Sequence, residues 1–110
     1  MTPSPEATLC RRAAQFIEAR GFCQCTYEDH AARLCLKGAL NLVAYGHPVE
    51  CGVECGDSIS LVNKVANHIA QRVGAESAIW WNDAPGRTKA DVLAALRATA
   101  DEFEQEVRHG

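Results

Sequence analysis

The chain reads as an all-α protein: one small helical bundle of about four helices, interrupted by two irregular loops. Three observations predict this. Apolar residues recur at helical spacing in four stretches, capping residues or glycines bound most of those stretches, and no run of alternating apolar and polar residues is long enough to make a strand. With 110 residues, 47% of them hydrophobic, the chain is long enough to bury a core without staples, so residues 1–110 are expected to form one domain.

The first helix is expected from Pro5 to Arg20. Ser4 is a good N-cap, Pro5 suits the first helical position, and Glu6 complements the positive end of the helix dipole. Leu9, Ala13, Phe16 and Ile17 form its apolar stripe, and Gly21 is expected to end it in a left-handed conformation. The second helix runs from Cys35 to Tyr45 and closes at Gly46, with Leu36, Ala39, Leu40 and Val43 on one face. Gly38 in its interior costs about 1 kcal/mol relative to alanine, which implies close approach of a neighbouring backbone. Residues 26–34 fit either a backward extension of this helix or a short turn.

The third helix, Ser58 to Val73, has Asp57 or Ser58 as cap and Gly74 as terminator. Its apolar positions Ile59, Val62, Ala66, Ile69 and Val73 keep a regular helical spacing. The fourth follows Thr88, which forms a capping-box pair with Asp91, and carries Val92, Leu96, Thr99, Phe103 and Val107 on one face. Glu104 and Arg108 are ordered for an (i, i+4) pair, and Asp101, Glu102, Glu104 and Glu106 read as a solvated face. His47–Gly56 and Ala75–Arg87 remain as the irregular loops.

Composition excludes some functions. The net charge is −3 and the Lys and Arg residues are dispersed, whereas nucleic-acid binding by counterion release needs clustered cations. No apolar run approaches the length of a bilayer span, and no cationic segment precedes an apolar stretch at the start, so the expected location is cytoplasmic with no membrane partner.

The densest chemistry lies in Trp80-Trp81-Asn82-Asp83-Ala84-Pro85-Gly86-Arg87-Thr88. Turn and cap roles account for much of it. Asn82 or Asp83 starts a turn through local side-chain bonds, Pro85-Gly86 continues it, and Arg87 pairs with Asp83 or covers a helix C-terminus. Two adjacent tryptophans seldom both fit a small core. One is therefore expected inside and one on the surface, where a tryptophan beside an arginine has the composition of an interface hot spot. The expected partner-binding residues are Trp80, Trp81, Asn82, Asp83 and Arg87, and the expected partner is another protein or a second copy of this chain.

Three blocks occur in order: Gly21-Phe22-Cys23-Gln24, Cys35-Leu36-Lys37-Gly38-Ala39-Leu40, and Trp81-Asn82-Asp83-Ala84-Pro85-Gly86-Arg87-Thr88 followed by Val92. Together they resemble a family of small uncharacterised proteins of actinobacteria and their phages, over the span from about the first helix to about Ala98. The last block is the specific one. Phe22 stands where that resemblance implies a tryptophan, and against the resembled pattern Cys10, Cys25, Cys51 and Cys55 look like additions of this chain. The resemblance implies no activity. It implies a bacterial or phage-infected host cell, and for a phage-encoded member a role in modulating the host.

Six cysteines raise two further readings. Cys10 and Cys35 lie in helical stretches, where a free thiol packs as a small apolar side chain. Cys23, Cys25, Cys51 and Cys55, with His30 and His47 nearby, have the donor types of a tetrahedral zinc site, although C-x-C and C-x3-C are not its commonest spacings. An enzyme reading starts from Cys35 near a helix N-terminus. His30, His47 or His68 would serve as base, Asn82 or Asp83 as orienter and Gln24 as oxyanion donor. His68 is otherwise a surface residue of the third helix. The leading expectation is a non-catalytic interaction or regulatory protein without a cofactor, then a zinc-stabilised binding module, then a small cysteine-dependent enzyme.

Overall fold

Five helices make up the computed structural model, which describes residues 4–50 and 56–109, with the side chains of 107–109 left aside. They are α1 (Pro5–Arg20), α2 (Leu36–Tyr45), α3 (Asp57–Val73), α4 (Ala78–Asp83) and α5 (Lys89–His109). The protein is thus an all-α bundle, with one helix more than the periodicity predicts. No strand forms among the described residues. Two isolated bridges, Phe22 to Leu34 and Glu28 to Leu34, order the segment between α1 and α2. No helix among the described residues is long and apolar enough to cross a membrane.

Most helix ends follow the capping chemistry, but the start of α3 does not: its N-cap is Gly56, Asp57 lies inside the helix, and neither Asp57 nor Ser58 caps it. The Ser4 hydroxyl accepts from the Ala7 amide at 3.1 Å, and Pro5 occupies the first turn. Thr88 and Asp91 cap each other reciprocally at 3.0 and 3.1 Å. Gly46 and Gly74 close α2 and α3 in the left-handed conformation. Gly21 departs from the expectation: its φ of 102° pairs with an extended ψ of 174°, which turns the chain directly into the bridge with Leu34.

The core lies where α1 packs on α5 and α2, with α3 closing the side. Leu9, Ala13, Ile17, Leu36, Leu40, Val62, Ile69, Val92, Leu96 and Phe103 are all buried in it. Cys10 is fully buried and acts as an apolar side chain. The acidic face of α5 is not simply solvated. Arg11 of α1 pairs with Asp101 and Glu104, while Glu102 accepts from His68 and Arg72 of α3 at 2.9 and 3.2 Å. His68 also packs on Phe103 in a tilted arrangement, with ring centroids 4.5 Å apart. The side chains of Val107 and Arg108, expected on the apolar face and in an ion pair, lie outside the described residues.

Residues 26–34 turn rather than extend α2. Asp29 holds the bend, its carboxylate accepting from the amides of Ala31 and Arg33 and from the Arg33 side chain at 2.7–3.0 Å. The turn returns Tyr27 against α2, where its carbonyl accepts from the Cys35 amide at 3.1 Å. A Cβ at Gly38 would lie 2.1 Å from that same carbonyl oxygen, so the backbone approach implied by the glycine is present.

Candidate functional site

The Trp-Asn-Asp block is helical where a loop is expected. α4 is capped by Ser77, whose hydroxyl accepts from the Trp80 amide at 3.1 Å. Six residues are too few for a helix to persist on its own propensity. Contacts from elsewhere in the chain hold it. The Gln24 side-chain Nε2 donates to the carbonyls of Asn82 and Ala84 at 3.0 and 2.9 Å, satisfying the open end of the helix. Asp83 accepts from the Cys25 amide at 2.8 Å. Arg87 covers the same end, its Nε donating to the Trp81 carbonyl at 2.9 Å and its guanidinium lying 4.1 Å from the centre of the Trp81 ring. Its ion-pair partner is Asp91 at 3.8 Å rather than Asp83. Pro85-Gly86 completes a turn in which the Arg87 amide donates to the Ala84 carbonyl at 3.1 Å.

Asn82 is the centre of this arrangement. It is 1% exposed, and its Oδ1 accepts from the amide of Leu36 at 2.9 Å, the first residue of α2. Its Nδ2 donates to the Cys23 carbonyl at 3.3 Å and to Asp83 at 2.9 Å. The three sequence blocks therefore meet here, joined by polar bonds among groups 46 to 60 residues apart. Neither Asn82 nor Asp83 starts a local turn, because their side chains reach across the fold instead. Asn82 offers no surface to a partner; it supports the surface from beneath.

The two tryptophans divide as expected. Trp81 packs partly buried against the core beneath Arg87, while Trp80 is 71% exposed. Ile79 beside it is 40% exposed, a contribution that composition alone does not flag. Hollows flank the pair. One of about 460 Å³ is lined by Ile79, Trp80, Asp83, Ala84 and Pro85. Another of about 660 Å³ lies between Trp80 and the end of α3, bordered by Val73, Glu76, Trp81 and Arg87. A third of about 360 Å³ lies behind Ile79, with Cys25, Tyr27, Cys35 and Asp83 on its walls.

Cys35 does stand at the start of α2, as its N-cap, with Sγ accepting from the Gly38 amide at 3.2 Å. Burial nevertheless dominates and pushes its thiol pKa up to about 11, the opposite of what a thiolate nucleophile needs. His30 is exposed, His47 bonds the Val49 carbonyl and His68 is engaged by Glu102, so among the described residues no histidine is hydrogen-bonded to Cys35. Gln24 serves as clamp, not as oxyanion donor. Of the cysteines expected at zinc, Cys23 is buried with its thiol donating to the Thr26 and Arg33 carbonyls, and Cys25 is exposed. Cys51 and Cys55 lie outside the described residues. Among the described residues, no three His, Cys, Asp or Glu side chains are grouped to hold a metal ion.

No curated protein and no solved structure matches the chain. A family model does, over residues 1–102, a span that includes all three blocks joined at Asn82. The chain belongs to the family of unknown function DUF6197.

Proposed function

We propose that this chain is a non-catalytic interaction or regulatory protein that engages another protein through the outer face of α4. The observation that carries the reading is Trp80 standing 71% exposed beside Ile79, on a helix clamped to the rest of the fold. Tryptophan, tyrosine and arginine are enriched among the few residues that carry most of an interface's binding energy. Trp80 and Ile79 supply the contact, Asp83 and Arg87 border it, and Trp81 and Asn82 hold it in shape. The same reading places the protein in the cytoplasm. For a phage-encoded member of the family it means occupation of a host protein.

Site-specific photo-crosslinking in cells that natively carry the gene tests this. An aromatic photoreactive residue at position 80, which keeps a large ring there, is expected to trap a defined protein, and one at exposed Gln15 on α1 is not. Unmodified parent protein should compete the adduct away and Trp80→Ala should not. Identical adducts from both positions, or none from position 80, would refute the proposal.

A further inference from the structure

The charge around α4 is one-sided. Trp80 and Ile79 project between two carboxylates: Asp83 borders the hollows on the Ile79 side, and Glu76 borders the one beyond Trp80. Glu76 is exposed and makes no hydrogen bond or ion pair among the described residues. Asp83 uses Oδ1 for the Cys25 amide and the Asn82 side chain, while its Oδ2 has no partner among the described residues. Arg87 shares the hollow with Glu76 but is already committed to the Trp81 carbonyl, the Trp81 ring and Asp91.

The remaining cations are largely spent as well. Arg11, Arg20, Arg33, Lys37, Lys64, Arg72 and Arg97 each have an acidic partner, and Lys89 donates to the Glu18 carbonyl. Among the described residues, Arg12 is the one Lys or Arg side chain with no such bond. A second copy would set this acidic rim against itself with almost no cation to answer it, which disfavours self-pairing. An anionic surface is disfavoured for the same reason.

Resting on the reading that α4 is a docking surface, we infer that its partner is a cationic, apolar protein segment. One or two large apolar side chains seat beside Trp80 and Ile79, while flanking Lys or Arg side chains meet Glu76 and Asp83. The adjoining hollows, about 460 and 660 Å³, are large enough to receive a leucine or phenylalanine side chain. The clamps on α4 leave little of the surface to be ordered on binding.

Fluorescence anisotropy with two labelled synthetic helical peptides tests the chemistry. One carries Leu and Phe along one face and Lys elsewhere, and the other replaces every Lys with Glu. The Lys peptide should bind at least roughly tenfold more tightly at low salt, with the advantage shrinking as salt is added. Glu76→Gln loses no hydrogen bond or ion pair among the described residues, so its fold should be intact, and it should weaken the Lys peptide about two- to fivefold. Trp80→Ala should weaken it roughly thirtyfold. Glu106→Gln, an exposed acid near the far end of α5, should change nothing.

Equal binding of the two peptides overturns the inference, as does Lys-peptide binding that ignores both Glu76→Gln and Trp80→Ala. Self-association in sedimentation that depends on Trp80 would assign the surface to a second copy and overturn it too. If the position-80 crosslink persists while the charge preference fails, the surface stands and only its partner chemistry falls. Loss of both removes the surface itself.

Discussion

Gly38→Ala tests the packing behind the site. In an isolated helix this change is favourable by about 1 kcal/mol, because alanine restricts the unfolded chain and glycine does not. In this protein the added methyl would lie 2.1 Å from the Tyr27 carbonyl oxygen, 2.8 Å from its carbon and 3.1 Å from its Cα. Ordinary carbon–oxygen contact begins near roughly 3.3 Å, so one backbone must retreat by about 1 Å. No side-chain rotation relieves it, since the obstacle is backbone. The retreat also stretches the bond that the Tyr27 carbonyl accepts from Cys35. Overpacking costs about 1–3 kcal/mol and the weakened bond about 0.5–1.5, against the helical gain of about 1. The net expectation is a loss of about 1–3 kcal/mol. For a domain of this size that is a fall of about 4–12 °C in Tm, read by far-ultraviolet circular dichroism, with a matching fall in urea midpoint. A variant that melts at or above the parent would refute the close approach.

Three further outcomes are expected. Asn82→Ala leaves the Leu36 amide and the Cys23 carbonyl without their partner and should cost about 2–4 kcal/mol in urea unfolding; a loss below about 1 kcal/mol would mean that Asn82 does not join the three blocks. The Glu102 carboxyl is held below its ordinary 4.5, chiefly by the hydrogen bond from His68, with the Arg72 charge adding to it and partial burial opposing. A depressed carboxylate contributes stability above its unfolded value and loses it as the pH falls through the folded one. Glu102→Gln should therefore flatten the acid limb of the stability curve below pH 4.5, by under about 1 kcal/mol because the pair is half-exposed; an unchanged limb would contradict this. Alkylation followed by peptide mapping should label exposed Cys25 first and spare Cys10 and Cys35, whose thiols burial raises to about 12 and about 11, until denaturant is added; early labelling of Cys35 would reopen the enzyme reading.

The long helices were legible because their signals are local. Ser4-Pro5, Gly46, Gly74 and the Thr88–Asp91 pair mark ends through groups at most four residues away, and the apolar spacing between them needs no knowledge of the partner helix. Gly38 was legible for the same reason, as a helix interior that tolerates a poor helix former only under duress. α4 was not. Its six residues are too short for periodicity, and they are helical because Gln24, Cys25 and Arg87 complete its end. The available signal was Ser77 three residues before Trp80, a weak cap motif without an apolar repeat behind it. Asn82 misleads for a related reason. Beside Asp, Pro and Gly it looks like turn chemistry, and only the fold reveals a partner 46 residues away. The acidic face of α5 likewise needed the positions of Arg11 and Arg72 before it could be seen as paired.

The clamps on α4 have a thermodynamic corollary. A peptide copied from residues 77–87 would carry Trp80 without its setting, since Gln24, Cys25 and Leu36 supply the bonds that shape the helix. The proposed docking face is thus a property of the whole cooperative unit, absent from fragments and from the unfolded chain. Whatever binds it binds the native state alone, and mass action then ties occupancy to lifetime. At a ligand concentration one hundred times Kd, the bound protein gains about 2.7 kcal/mol against unfolding. A partner that seats on Trp80 would in this way also govern how long the chain survives.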